Sequence, residues 1–166
     1  MTAILHAEPT SSLSRLRQLG LSEAALLRAV MAGYIAKSNC TDNHPPLFPP
    51  IAAWSEAVRT LRDVLKPEGW TRFNDQNSPK TVSPDGSISI IVSTGNEATG
   101  IPHAEPATTS SKGPNTAGAI EINRNLQLYL PGMELPVPLQ DEDEKVTTWI
   151  LLAHHAKNEL RAELSL

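Results

Sequence analysis

Proline is the residue type that most limits what this chain can form. The sequence holds fourteen prolines in 166 residues, and four of them fall within residues 43–50. Proline fixes its own φ angle, lacks an amide hydrogen and disfavours helix at the residue before it. We therefore expect residues 43–50 to run as an extended, polyproline-like connection between two helices. Leu47 and Phe48 lie within this tract, and we expect them to hold it against the core.

Two helical pieces are predicted before this connection, over residues 11–38. Leu13, Leu16 and Leu19 recur at every third position. Gly20 then interrupts the pattern, and Ser22 is a suitable N-cap for a second helix. The second piece should bury one broad apolar face. That face comprises Leu26, Leu27, Val30, Met31, Tyr34 and Ile35.

A third helix is predicted directly after the connection. Its apolar residues alternate between three- and four-residue spacing, so a single stripe should face the core. The stripe comprises Ile51, Trp54, Val58, Leu61 and Leu65. Pro67 and Gly69 end this helix, which closes a helical part over residues 11–66.

After Gly69 the apolar pattern becomes that of a sheet, and residues 69–93 are predicted to form a first β-hairpin. Residues 70–74 are a candidate strand, and residues 77–79 and 83–86 have turn composition. Residues 87–93 alternate, with Ile88, Ile90 and Val92 on one side. This strand should therefore cover a core on one side only, with Ile91 as the exception.

The last twenty residues suit either a helix face or a hairpin. In the hairpin, residues 156–159 form the loop, Leu151 faces Leu164, and Ala153 faces Ala162. On the other side of the sheet His154 then faces Arg161. This register gives one apolar face and one mixed face, as an antiparallel sheet with helices on a single side requires, and we prefer it.

Together these elements predict one α+β domain over residues 1–166, with N-terminal helices packed on one face of a small, mainly antiparallel sheet. Residues 94–118 are rich in Thr, Ser, Gly and Pro and predict a long polar loop, while residues 146–166 form the C-terminal hairpin. The sequence stops at Leu166 without a polar tail, so either the last strand is an edge or the chain is a fragment of a longer one.

Charge and cysteine content argue against several classes of protein. Fourteen basic against eighteen acidic residues give a net charge of −4, which does not suit non-specific DNA coating. Cys40 is the single cysteine, so an intrachain disulfide cannot form. No signal peptide and no long apolar run is present in the sequence, and we expect a cytoplasmic protein without membrane contact.

Catalytic motifs are missing from the sequence, so an enzyme is the less favoured interpretation. There is no Gly-x-Ser-x-Gly elbow and no Walker lysine. Asp75, Asp85, Glu97 and Lys112 could converge only if the loops folded back on the sheet. His154 and His155 are adjacent, so in a strand they face opposite sides and cannot share a metal ion. We therefore expect neither cofactor nor metal.

Several segments together resemble a group of uncharacterised bacterial proteins associated with integrative mobile elements and antiphage defence islands. The segments are residues 43–49, 54–65, 69–70, 83–86 and 94–100. The resemblance covers about residues 43–130 and extends to residues 149–166. It implies an accessory component that accompanies helicases, methylases or nucleases, and it assigns no activity and no catalytic residue.

Three functions remain open from the sequence. The first is a non-enzymatic interaction module that binds a protein partner or a second copy of itself. Its contacts would be the proline-rich tracts, the polar loop, Leu47, Phe48, and the acidic run Asp141, Glu142, Asp143 and Glu144. The second is a nucleic-acid contact protein with a basic helical stripe of Arg15, Arg17, Arg28, Arg59, Arg62 and Lys66. The third is a nuclease or hydrolase with a site within residues 75–112.

Overall fold

The computed structural model describes residues 9–75, 78–109, 146–156 and 159–166, and these form an α+β fold, as predicted. Three helices precede the sheet: α1 (Pro9–Gln18), α2 (Glu23–Ser38) and α3 (Phe48–Leu65), which continues into a short 3-10 helix, Lys66–Glu68. The strands are β1 (Thr71–Asp75), β2 (Ser78–Val82), β3 (Ile88–Thr94), β4 (Thr147–Ala156) and β5 (Glu159–Ser165).

The break between α1 and α2 follows the local sequence, as predicted. Gly20 has a φ of 68°, in the left-handed region where glycine carries no steric penalty. The amide of Leu21 donates to the carbonyl of Leu16 and closes the end of α1. Ser22 is extended and accepts a hydrogen bond from the amide of Ala25 through its hydroxyl oxygen, at 3.2 Å. A side-chain cap of this kind satisfies one of the free amides of the first turn.

The apolar surface of α2 is only half buried, which corrects the predicted broad face. Leu26 and Val30 lie in the core, together with Ala25, Ala29 and Gly33. Leu27, Met31 and Ile35 are about half exposed. The apolar residues of α2 extend around more of the helix than the sheet and α3 together can cover.

The proline tract does not remain extended to its end, which is a second correction. The amide of Phe48 donates to the carbonyl of Pro45, and α3 begins at Phe48 with two prolines in its first turn. Proline suits this turn because the amides there have no partner within the helix. Leu47 is 75% exposed and Phe48 44%, so these residues do not hold the tract against the core. Ile51 and Trp54 are exposed as well, and the buried stripe of α3 begins at Ala53.

The sheet has the strand order β1-β2-β3-β4-β5, and all neighbours are antiparallel except β3 and β4. Residues 69–93 thus contain three strands rather than one hairpin. Ser78 and Pro79, predicted as part of a turn, begin β2 and pair with β1. The turn at residues 83–86 is as predicted: the amide of Gly86 donates to the carbonyl of Ser83.

The C-terminal segment is a hairpin with the register that the alternating pattern predicts. Leu151 lies opposite Leu164, Ala153 opposite Ala162, and His154 opposite Arg161. The strands continue to the pair Ala156 and Glu159, so the loop is shorter than predicted.

The sheet buries side chains on both faces, which corrects the prediction that β3 covers a core on one side only. Ile90 and Leu151 face the helices and belong to the main core. Ile91, Ile150 and Leu152 form a second buried cluster, and their positions in β3 and β4 place them on the opposite face. Continuous apolar runs such as those of β3 and β4 are typical of parallel strands buried on both sides.

Residues 95–109 form an irregular segment that is bonded to the last two strands. The amide of Gly95 donates to the carbonyl of Ala153. Arg161 donates to the carbonyl of Glu97 at 2.8 Å, and Glu163 accepts from the amide of Gly100 at 2.9 Å. The rest of the predicted polar loop lies outside the described residues. In the described parts of the chain, no single helix has the length and apolarity to cross a membrane; α1 and α2 satisfy those criteria only jointly, across a bend of 93°.

Candidate functional site

An apolar groove of about 440 Å³ lies where α2 ends and α3 begins. Ala36 and Cys40 line it on the α2 side, and Phe48, Ile51 and Ala52 line it on the α3 side. We call these residues, with His44, the entry groove. Phe48 and Ile51 are large, exposed apolar side chains.

Local sequence positions each wall of the entry groove. Gly33 allows α2 and α3 to approach closely, because a Cβ there would lie 2.6 Å from the carbonyl oxygen of Ala53. Beyond this contact, α2 ends at Asn39, whose amide donates to the carbonyl of Ile35. The turn that follows is closed by the amide of His44, which donates to the carbonyl of Thr41.

The rings of His44 and Phe48 form a stacked pair at one end of the groove. Their centroids are 5.1 Å apart and their planes differ by 8°. Nδ1 of His44 accepts a hydrogen bond from the amide of Thr41 at 3.0 Å. This contact holds the ring flat against Phe48.

The groove is nearly neutral in charge. Glu56 is a charged side chain on its rim, and its carboxylate accepts from Arg59 at 2.7 Å and 2.9 Å. Arg59 also pairs with Asp63 at 2.9 Å. These carboxylates, Glu56 first, raise the pKa of Arg59. The charge of Glu56 is therefore already balanced within the helix.

Phe48, predicted to bind a partner, lines this groove, and Leu47, predicted with it, is exposed directly before Phe48 in the chain. Leu47 is the N-cap residue of α3 and makes no side-chain cap hydrogen bond. Asp141, Glu142, Asp143 and Glu144 lie outside the described residues.

The predicted basic stripe is not assembled by the fold. Arg15 lies over the ring of Trp149 in β4, at 5.5 Å. Arg62 donates to the side-chain oxygen of Asn74 at 2.7 Å and to the carbonyl of Lys80 at 3.1 Å. These bonds hold it against β1 and β2. Strand β3 separates these two sites. Burial, followed by the charge of Arg72, lowers the pKa of Arg62.

The other members of that stripe are dispersed as well. Arg59 is paired with acidic residues on its own helix. Arg17 and Arg28 are exposed on α1 and α2, and Lys66 is exposed after α3. The phosphate-binding surface that the second hypothesis requires is thus not formed by these six residues.

Of the acidic residues considered for catalysis, Asp85 serves local structure. Asp85 accepts hydrogen bonds from the hydroxyl of Ser83 at 2.6 Å and from the amide and hydroxyl of Ser87. These bonds, the one from Ser83 first, lower the pKa of Asp85 to about 2. The backbone of Glu97 accepts from Arg161, and Lys112 lies outside the described residues.

The two histidines of β4 face opposite sides, as predicted. His154 is 3.3 Å from the carbonyl of Gly95, and His155 meets Tyr34 of α2 edge to face. Burial, then the charges of Lys37 and His154, lowers the pKa of His155. Among the described residues, no three His, Cys, Asp or Glu side chains are grouped closely enough to hold a metal ion.

Sequence reasoning missed the walls of the groove other than Phe48. It placed Ile51 in the buried stripe and considered Cys40 only as the single cysteine of the sequence. The signal that could have revealed the groove is the position of Ile51 directly after Pro49 and Pro50. A residue in the first turn of a helix, before the close contact at Ala53, has little to pack against.

No protein-family model, no curated protein and no solved structure matches this chain. Its function is therefore argued from its own surface.

Proposed function

We propose that this chain is a non-enzymatic interaction module, an accessory component of a bacterial multi-protein system that acts through protein–protein contacts. The observation that carries the proposal is the exposure of Phe48 and Ile51 in the entry groove, with Leu47 exposed directly before Phe48. Clusters of large apolar side chains at a surface are typical of interaction sites, and aromatic residues contribute strongly to their binding energy.

The occupant that fits the entry groove is a short apolar segment of a partner protein. The lining is mainly apolar, with Asn39 and Ser55 as polar members, and the charged residue Glu56 on the rim is already paired with Arg59. A phosphate or carboxylate would lose its hydration there without gaining an ion pair. An aliphatic or aromatic side chain gains by leaving water and by packing against Phe48.

Two parts of the proposal rest on the sequence alone. The acidic run over residues 141–144 would supply a charged contact that is separate from the groove. The setting, antiphage defence or a mobile element, comes from the resemblance described above. The acidic run is tested apart from the groove.

Site-specific cross-linking in the host tests the groove. A photo-reactive phenylalanine is introduced at Ile51 in one variant and at Phe73 of β1 in another. Phe73 is a matched control because it is also a large, exposed apolar residue. It lies on the face of the sheet that is turned away from the helices. We expect a discrete protein adduct from position 51 and none from position 73.

Substitutions connect that adduct to the surface. Phe48→Ser should abolish capture of the adduct-forming protein, while Phe73→Ser should leave it unchanged. Equal loss in both variants, or the same adducts from both positions, would contradict the proposal. A nucleic-acid adduct, with a gel shift that persists at about 0.15 M salt, would favour the nucleic-acid alternative instead.

Neutralising the acidic run tests its role separately. The variant D141N/E142Q/D143N/E144Q should bind the same partner more weakly, and the difference should shrink at high salt because screening weakens exposed charges. Association that neither the variant nor salt changes would remove the acidic run from the interface and leave the groove as the contact.

A further inference from the structure

In the part of the chain that the structure describes, one side of β5 has no strand beside it. In β4, the amide of Thr147 donates to Ser87 and the carbonyl of Ala153 accepts from Gly95, so the odd-numbered residues of β4 point towards β3. The even-numbered residues of β4 therefore point towards β5 and pair there with odd-numbered residues. The amides and carbonyls of Leu160, Ala162 and Leu164 therefore point away from β4, outwards from the edge of the sheet.

This free side is the edge of the five-stranded sheet. Among the described residues, no main-chain group is bonded to Leu160, Ala162 or Leu164 outside the β4–β5 ladder. Gly100 approaches the edge, and a Cβ there would lie 3.4 Å from the carbonyl oxygen of Ala162. The irregular segment thus passes close to β5 at Ala162, and glycine keeps a side chain out of that gap. An edge with unpaired groups is a template for another strand.

The sequence of β5 is complementary to itself in reverse. Around Ala162, the residues one position away are Arg161 and Glu163, and those two positions away are Leu160 and Leu164. When two such strands pair antiparallel about a two-fold axis at Ala162, each arginine lies opposite a glutamate, while within its own chain Arg161 keeps its bond to the carbonyl of Glu97 and Glu163 its bond from the amide of Gly100. Each of the two leucines then lies opposite a leucine of the second copy.

We propose that two copies of this chain associate through β5, antiparallel about a two-fold axis at Ala162, to form one continuous sheet. In this register Leu160, Ala162 and Leu164 are the residues that exchange main-chain hydrogen bonds, and they are the three whose groups point outwards. Opposite charges and apolar pairs directly across an antiparallel ladder stabilise it.

Neighbouring registers are disfavoured by charge. A shift that centres the axis on Arg161 places the two arginines opposite each other. A shift that centres it on Glu163 does the same for the glutamates. Like charges directly opposite are destabilising, so the register at Ala162 is selected among those with extensive overlap.

The exposed stripe of α2, defined as Leu27, Met31 and Ile35, adjoins this edge. Helix α2 packs over β4 and β5, and α3 over β2 and β3. Gly33 faces α3, and at about 100° per residue Leu27 and Met31 lie roughly 120–160° around the helix from it. They are thus on the side of α2 that is away from α3 and above the open edge. A two-fold axis at Ala162 brings the stripes of both copies to the same side of the sheet, where they can cover each other.

Sedimentation equilibrium of the purified protein tests the dimer. We expect a concentration-dependent dimer for the wild type and a dissociation constant raised about tenfold or more for Ala162→Pro. Proline removes an outward amide, and the bonds between β4 and β5 do not use that amide. Arg72→Pro is the matched control, because Arg72 lies at a position of β1 that points outwards at the opposite edge.

Two charge variants test the register. Arg161→Glu gives two acidic positions on β5 and Glu163→Arg gives two basic ones, so each variant alone should be monomeric. An equimolar mixture should form a heterodimer, because opposite charges then face each other at both positions. Circular dichroism verifies that each variant is folded.

Three outcomes would overturn the proposal. The first is a wild type that remains monomeric at about 100 µM, a concentration well above the dissociation constants of typical specific complexes. The second is a dimer that Arg72→Pro dissociates and Ala162→Pro does not. The third is a pair of folded charge variants that fail to associate when mixed. The surface and the measurement are separate from the entry groove, so either proposal can fail alone.

Discussion

The inner and outer faces of α2 contain similar residues in very different surroundings. Leu26 is 7% exposed, and its neighbour Leu27 is 49% exposed. Val30 is fully buried, while Met31 beside it is half exposed. The inner face packs on the sheet and on α3, and the outer face has no such neighbour within the described residues.

The difference shows that burial in this helix is decided by what lies opposite a residue. Both faces are apolar enough to be a core, and one layer of sheet can cover only one of them. The outer face is therefore available for a contact with another molecule. Substitutions in matched pairs can measure how far the two faces differ.

The largest difference is expected between Leu26→Ala and Leu27→Ala. The first should lower the free energy of unfolding by about 2–5 kcal/mol, because it removes a buried side chain and leaves a cavity. The second should lower it by less than ~1 kcal/mol, because half of the side chain is already in water. Urea unfolding followed by circular dichroism, at concentrations where sedimentation shows a monomer, measures both. Equal losses would mean that the outer face is covered within the monomer.

A smaller loss is expected from Gly33→Ala on the inner face. The new Cβ would lie 2.6 Å from the carbonyl oxygen of Ala53 and 3.2 Å from Cβ of Ala57, so the helices must separate. Overpacking of this kind costs about 1–3 kcal/mol. The higher helix propensity of alanine, compared with glycine, offsets ~1 kcal/mol of this loss in the free energy of unfolding. A net loss in urea unfolding is expected, and a variant more stable than the wild type would show that the contact at Gly33 is loose.

Much of the fold could be predicted because its rules are local. The cap at Ser22 depends on residues within one turn, and the register of the C-terminal hairpin follows from alternation over a short loop. Strand β2 was missed because Asn77, Ser78 and Pro79 have turn composition. The parallel pairing of β3 with β4 joins residues far apart in sequence, and alternation alone does not indicate which strands are neighbours.

The candidate site was predicted less well than the fold. Leu47 and Phe48 were singled out, but the groove depends on whether the prolines extend the chain or begin a helix. Both are compatible with the sequence, and the hydrogen bond from Phe48 to Pro45 decides for the helix. The exposure of Ile51 and of the outer face of α2 depends on tertiary neighbours, which periodicity does not specify.

The boundary between the two faces is marked by Tyr34, which contacts His155. Burial lowers the pKa of His155 from its ordinary value of 6.5, so the unfolded chain binds a proton there more readily than the folded one. The contribution of neutral His155 to the free energy of unfolding should be fully present above pH 6.5. It should decline as the pH falls through the lowered pKa. His155→Phe keeps a ring against Tyr34 and removes the titration. Urea unfolding at several pH values should show a steeper acid loss for the wild type, and parallel curves would contradict this.

The smallest effect on stability is expected from Met31→Gln on the outer face. Glutamine has a helix propensity close to that of methionine, and the position is half exposed, so the change should stay within about 0.5 kcal/mol. If two copies meet along this face, the same substitution should raise the dissociation constant of the dimer several-fold, because a polar amide would then be placed against apolar side chains. Leu13→Gln is the control, since Leu13 is another exposed apolar residue but belongs to α1. If neither variant changes the dissociation constant measured by sedimentation, the dimer contact is formed by β5 without α2. The two faces of α2 would then differ in burial alone.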